Sequence, residues 1–188
     1  MKATCIVGSA RNNGSCARLV EALCNGLHAA GAKTVIYNIG ECDVRYCTGC
    51  KQCEQTGFCV QKDDVYRIVS DMLASDLVVI AAPSYWAGVP AQLKTLFDRT
   101  TPYGDTNPNR RLIADHPISG VAIAVRAGTR PQENQLILNS ITHYFGHLGI
   151  KTAEEFSFCG VNTPEDLLIR YPSALSEMQR LGYALAHK

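Results

Sequence analysis

The chain is short of charge imbalance, of aromatic side chains and of long apolar runs. Its 18 Lys and Arg nearly cancel its 17 Asp and Glu, leaving a net charge of +1. That excludes a broad basic face of the kind that binds nucleic acid. No apolar stretch approaches the roughly 20 residues needed to cross a bilayer. The segment after Lys2 is strand-like and has neither the apolar core nor the cleavage site of a signal peptide. The expectation is a cytoplasmic protein with no membrane and no nucleic-acid partner. Tryptophan occurs once, so the loop that carries Trp86 draws notice. Two phosphate-binding signatures, G-x-x-x-x-G-K-[ST] and G-x-G-x-x-G, are missing. Their absence argues against a P-loop ATPase and a dinucleotide-binding Rossmann domain.

What is present is sulfur. Nine cysteines stand in 188 residues, a length that suits one domain over 1–188 with a core of its own. A disulfide scaffold is not expected in such a chain. Cys5, Cys16, Cys24, Cys42 and Cys159 are scattered and read as small buried hydrophobes. The other four, Cys47, Cys50, Cys53 and Cys59, follow C-x2-C-x2-C-x5-C within one loop. Four thiolates on a short loop can converge on one metal centre. From the spacing alone, zinc, an iron–sulfur cluster and no metal all stay open.

Strand and helix patterns alternate along the whole chain. Strands are expected over 2–8, 33–39, 76–82, 118–125 and 151–157. Helices are expected over 15–30, 64–74, 89–99, 133–147 and 165–186. Five such pairs predict an α/β fold, a doubly wound five-stranded parallel sheet of order 2-1-3-4-5 with helices on both faces. Its ligand site should lie at the carboxyl ends of strands 1 and 3. Residues 100–117, rich in Pro, Asn and Gly, read as a long loop that can serve as a lid.

Two loops reach that edge. The first, Gly8-Ser9-Ala10-Arg11-Asn12-Asn13-Gly14-Ser15-Cys16, runs into a helix N-terminus, whose free N–H groups and positive dipole end suit a phosphate. Ser9, Asn13 and Ser15 add donors and Arg11 adds a charge; a capped turn without ligand is the plainer reading. The second, Pro83-Ser84-Tyr85-Trp86-Ala87-Gly88, offers a flat aromatic surface and backbone amides to a planar ring. Its plainer reading is that Tyr85 and Trp86 anchor the loop in the core or in a dimer contact.

These loops, with Ala91-Gln-Leu-Lys-Thr-Leu-Phe-Asp-Arg99, Arg126-Ala-Gly128, Gln132-Glu133 and His147-Leu-Gly149, resemble the NAD(P)H-dependent FMN reductase family over nearly the whole chain. The resemblance implies a flavodoxin-like fold and an FMN-dependent oxidoreductase, with NAD(P)H as electron donor. It implies FMN phosphate held by Ser9, Arg11, Asn13, Gly14, Ser15 and Cys16, and the ring held by Pro83, Ser84, Tyr85, Trp86 and Gly88. Ala127 and Gly128 would close the far edge of the ring. Ser15-Cys16 departs from the Asn-Thr common in the family, which leaves Cys16 its backbone N–H to offer. No side chain is expected to act as acid, base or nucleophile.

The cysteine loop, with Phe58-Cys59-Val60 and Asp63-Asp64-Val65 after it, resembles the motif of the iron–sulfur flavoprotein branch. That resemblance implies a [4Fe-4S] cluster on Cys47, Cys50, Cys53 and Cys59, with Gly49 and Gly57 permitting the sharp turns. Thr48-Gly49 is closer to relatives without a known cluster, so a plain NAD(P)H-dependent FMN or quinone reductase is the alternative. A zinc-binding or thiol redox-sensing module is the alternative of another class. Partners are expected to be a small-molecule or protein redox partner and further copies of the chain, as a homodimer or homotetramer. His143 and His147, though at metal-ligand spacing, read as part of an ordinary packed helix; Arg110-Arg111 read as solvated. Lys94, Asp98 and Arg99 read as the polar side of their helix, either as surface charge or as an interhelical ion pair at a dimer interface.

Overall fold

A computed structural model describes residues 1–187. Strands β1 (Lys2–Val7), β2 (Lys33–Asn38), β3 (Leu77–Pro83), β4 (Ile118–Val125) and β5 (Ile150–Phe158) form one parallel sheet. Its order is β2-β1-β3-β4-β5, the doubly wound topology expected from the alternation. The helices are α1 (Ser15–Ala29), α2 (Gln52–Thr56), α3 (Val65–Leu73), α4 (Ala91–Arg99), α5 (Pro131–His147), α6 (Pro164–Arg170) and α7 (Ala174–Leu185).

The central strands are apolar on both faces because alternate side chains feed two separate cores. Ile6, Val78, Ile80, Ala122 and Ala124 join Ile68 and Met72 of α3, Leu93 and Leu96 of α4, and Ile137 and Phe145 of α5. Cys5, Val7, Leu77, Val79, Val121 and Ile123 join Leu19, Leu23 and Leu27 of α1 and Met178 of α7. Each such Leu or Ile, fully buried, contributes about 1.5–3 kcal/mol. On the second face α1 and α7 meet backbone to backbone. A Cβ built on Gly182 would stand 2.1 Å from the Leu23 carbonyl oxygen, and one on Gly26 would stand 1.9 Å from that of Gln179.

Three features differ from the sequence reading. The closing helix is two helices, because Pro172 cannot continue α6 past Tyr171. The cysteine loop contains its own short helix, α2, entered through Lys51 in a left-handed conformation and closed by Gly57 at φ 74°. The segment 100–117 is tied down beneath that helix. The side-chain amide of Asn107, itself buried, donates to the Cys53 carbonyl (3.1 Å) and the Pro102 carbonyl (2.9 Å). Asn109 Nδ2 donates to the Glu54 carbonyl (2.6 Å) and Arg111 Nε to that of Thr56 (3.1 Å). Three side chains thus bond carbonyls of α2, that of Cys53 shared with the Gly57 N–H, so the segment clamps the cysteine loop, and Arg111 is part of the clamp.

Candidate functional site

Strand β1 ends at the bond from the Gly8 N–H to the Ala81 carbonyl (2.8 Å), which places the next loop beside the end of β3. The loop closes on itself: the Gly14 N–H reaches the Arg11 carbonyl (3.1 Å), and the Arg11 N–H donates to Ser9 Oγ (3.0 Å). Helix α1 then begins with Gly14 at its N-cap and no side-chain cap. Its first-turn N–H groups have no partner within the helix, so they are available to an anion. A cavity of about 100 Å³ opens there, walled by Ser9, Arg11, Gly14, Ser15 and Cys16. Burial pushes the Cys16 thiol up to about 12, so it stays neutral and lends no charge against a phosphate.

Pro83, Ser84, Tyr85 and Ala127 complete the wall predicted from the sequence. Asn13, Trp86, Gly88 and Gly128 do not line it. The reason for Trp86 is the turn it occupies. Tyr85 and Gly88 exchange backbone bonds of 3.0 and 2.9 Å across two residues, Trp86 at φ 52° and Ala87 at φ 59°. Such two-residue turns favour Asn-Gly, because non-glycine residues at positive φ are strained. The strained tip holds the indole wholly in solvent, so Trp86 is no core anchor. Ala87→Gly is expected to raise stability by roughly 1 kcal/mol, read as a higher urea midpoint at unchanged slope; an unchanged or lower midpoint contradicts the strain.

Four wall residues were not foreseen: Val125, Arg126, Val161 and Asn162. The last two follow β5, whose loop crosses to the site through the Val161 N–H on the Arg126 carbonyl (2.8 Å). Asn162 offers its carbonyl to Arg11 Nη1 (2.9 Å), while its N–H is held by Asp166 (3.0 Å). The Thr163-Pro-Glu-Asp166 capping box, readable in the sequence, marks where this loop must turn. Arg126 folds back over Gly128, giving Nη1 to the Arg130 carbonyl (2.6 Å) and Nη2 to Glu133 (2.8 Å). Its Nε is buried without a partner. An unpaired buried donor costs about 1–3 kcal/mol, so this arginine, on the wall of the cavity, is held at an energetic cost. Uncapped N–H groups at one end and an orphaned donor at the other suit a phosphate joined to a heterocycle.

Cys47, Cys50, Cys53 and Cys59 line a second cavity, of about 130 Å³, floored by Arg99, Thr101 and Pro102. Gly49 and Gly57 turn the loop at φ 66° and 74°, as their placement predicted. Burial, and then the neighbouring sulfurs of Cys59, Cys50 and Cys47, push the Cys53 thiol up. Four thiolates cannot share this space without a cation to neutralise them. Among the described residues no three His, Cys, Asp or Glu side chains meet as a single ion requires. A cubane differs from an ion here: each thiolate takes a different iron, so four sulfurs frame a volume instead of meeting at a point. The frame of cysteines around a cavity fits that geometry.

Arg99 overturns its sequence reading. It is 1% exposed, with a bidentate pair to Asp63 (Nη1 to Oδ2 2.6 Å, Nη2 to Oδ1 3.1 Å). Burial opposes the Asp63 charge, but Arg99 and the N–H groups of Arg45 and Val65 hold its carboxyl below the usual range. Lys94 and Asp98 do stay on the exposed side, paired to each other. Tyr144 and Phe145 pack as expected, whereas His147 bonds His143 (Nε2 to Nε2, 3.1 Å) and Asp105 (2.6 Å) near the surface. Cys5, Cys16 and Cys24 are buried, and Cys42 and Cys159 half-buried.

The family model for NADPH-dependent FMN reductases matches residues 1–155. An iron-sulfur flavoprotein of Archaeoglobus fulgidus is 32% identical over 157 residues, 83% of this chain and 69% of that protein. An iron-sulfur flavoprotein of Methanosarcina thermophila is 38% identical over 100 residues, 53% of this chain and about half, 52%, of that protein's length. In three dimensions the chain is similar to an NAD(P)H:quinone oxidoreductase from Methanothermobacter marburgensis. The TM-score is 0.78 over 100% of this chain and 98% of that one, at 19% identity, a likeness of fold alone.

Proposed function

The chain belongs to the NADPH-dependent FMN reductase family, and on that premise we propose a redox flavoprotein with FMN at the carboxyl edge of its sheet and a [4Fe-4S] cluster in its cysteine loop. It is a flavin-dependent oxidoreductase. One observation carries the assignment of the site: the loops after β1, β3 and β4 converge on a single cavity above an uncapped helix end. These loops would hold FMN, which when bound would supply both hydride and single-electron chemistry.

The chain's own residues bind and orient. The amides opening α1, with the hydroxyls of Ser9 and Ser15 and the Arg11 guanidinium, take the phosphate. Pro83, Ser84 and Tyr85 would support the ring, with Ala127 and Arg126 at its edge. Asn13, Trp86, Gly88 and Gly128 stand outside the cavity wall. The enclosed space of about 100 Å³ is well below the roughly 300–1,000 Å³ of complete ligand pockets. The wall as it stands would therefore enclose only part of FMN, leaving the rest of the ring to be covered from outside. A second copy of the chain, in a homodimer or homotetramer, covers it on this reading. NAD(P)H serves as donor and a small molecule or redox protein as acceptor, in the cytoplasm. Among the described residues no helix is long and apolar enough to cross a membrane.

The test is an absorption spectrum with iron, sulfide and zinc analysis of protein purified without oxygen. Flavin bands plus broad brown absorbance that bleaches with dithionite are expected. Flavin bands alone transfer the assignment to a cluster-free FMN or quinone reductase. A colourless protein with stoichiometric zinc refutes electron transfer.

A further inference from the structure

We propose that Arg99 is a positioning residue for the cluster: its Nε–H donates to sulfur on the Cys59 side of the cavity, fixing the cluster and easing its reduction. This rests on the reading that the cysteine loop holds [4Fe-4S].

The guanidinium is held on one edge only. Nη1 donates to the Arg45 carbonyl (2.6 Å) and Asp63 Oδ2 (2.6 Å), and Nη2 to Asp63 Oδ1 (3.1 Å). The Asp63 side chain is wholly buried, so this clamp is dry and rigid. Nε is buried and has no partner. Arg99 also forms part of the wall that carries all four cysteines. Of the four cysteines, Cys59 is the one whose sulfur bears on the Arg99 side chain. A neutral thiol is a weak acceptor, whereas a metal-bound thiolate or a bridging sulfide is a stronger one. The orphaned donor is thus explained by an occupant rich in anionic sulfur.

The effect on electron affinity follows from charge. Reduction adds one electron to a site already negative. A fixed cation and a hydrogen bond to sulfur both favour the reduced form. Lys51 lies at the same cavity but is exposed, so solvent screens it. Lysine at position 99 keeps the charge and reaches Asp63, but has no fork with a third N–H aimed at sulfur.

The experiment compares anaerobic wild type with Arg99→Lys and Lys51→Gln. The readouts are iron and FMN per chain and a dithionite titration followed by electron paramagnetic resonance. In Arg99→Lys, FMN content is expected to hold while the ratio of reduced to oxidised cluster at a fixed potential falls about tenfold. That is a midpoint lower by about 59 mV for one electron. Lys51→Gln should leave the midpoint in place. A second measurement needs no variant: with 15Nε-arginine in wild type, the reduced cluster should show a nitrogen hyperfine coupling that disappears in Arg99→Lys. An unchanged midpoint with full iron, or the absence of that coupling in wild type, overturns the proposal. If Arg99→Lys fails to fold, the wild-type coupling decides. Iron-free wild type removes the cluster reading itself, and this proposal with it.

Discussion

Cys50→Ala is expected to yield a protein that keeps its flavin and loses its iron and brown colour. Cys50 is exposed on the loop, and a substitution there costs folding stability no more than about 0.5 kcal/mol. On the proposed [4Fe-4S] reading the effect is on that centre alone: with three thiolates one corner of a cubane would be open to solvent and oxygen, and the cluster would be lost on handling. The flavin is spared because the cavity holding Ser9, Arg11 and Tyr85 shares no residue with the one holding Cys50. Iron and sulfide analysis beside the flavin absorbance checks this. Full iron in the variant means that Cys50 is not a ligand, and loss of FMN as well means that the two sites are not independent.

The second large effect is on the fold. Gly182→Ala should destabilise the protein by about 2 kcal/mol or more, a fall in melting temperature of roughly 4–8 °C for a chain of this size. Helix propensity predicts the opposite sign, since alanine is better than glycine by about 1 kcal/mol in a helix interior. Contact decides, because the new methyl would meet the Leu23 carbonyl oxygen at 2.1 Å and the Leu27 nitrogen at 3.0 Å. Both are backbone atoms with no rotamer to yield, so α7 must move away from α1 along its length. Gly146 on α5 is the control: nothing lies within 4 Å of its built Cβ. There the same substitution should raise stability by about 1 kcal/mol. Thermal melts of the two variants decide the matter, and equal shifts would mean that α1 and α7 are not in backbone contact.

Much of the fold was legible locally. The run Leu-Val-Val-Ile-Ala-Ala from Leu77 is a central strand because every side chain is buried, and no surface position calls for a polar residue. The helix end after Gly14 was readable from its turn residues. Pro172 was equally visible, yet the helix expected over 165–186 ran through it; the break between α6 and α7 is the local consequence of that proline. Arg99 was different. It stands next to Asp98 at the end of an amphipathic helix, and nothing nearby in the sequence distinguishes a buried arginine from an exposed one. Asp63, 36 positions away, satisfies it. The clamp of Asn107, Asn109 and Arg111 on α2 spans some 55 positions in the same way.

The sequence by itself determined the alternation of strands and helices, the apolar strands that need two covered faces, the anion-ready loop after β1 and the four clustered thiols. Each is a pattern within a few neighbouring residues, where backbone geometry and side-chain period act directly. Only the tertiary structure decided that Trp86 projects into solvent, that Arg126 and Asn162 wall the cavity above α1, and that Arg99 lies buried beside the cysteines. Those outcomes depend on which distant groups come within bonding distance once the sheet has closed. That pairing is a property of the assembled chain and of no segment in it.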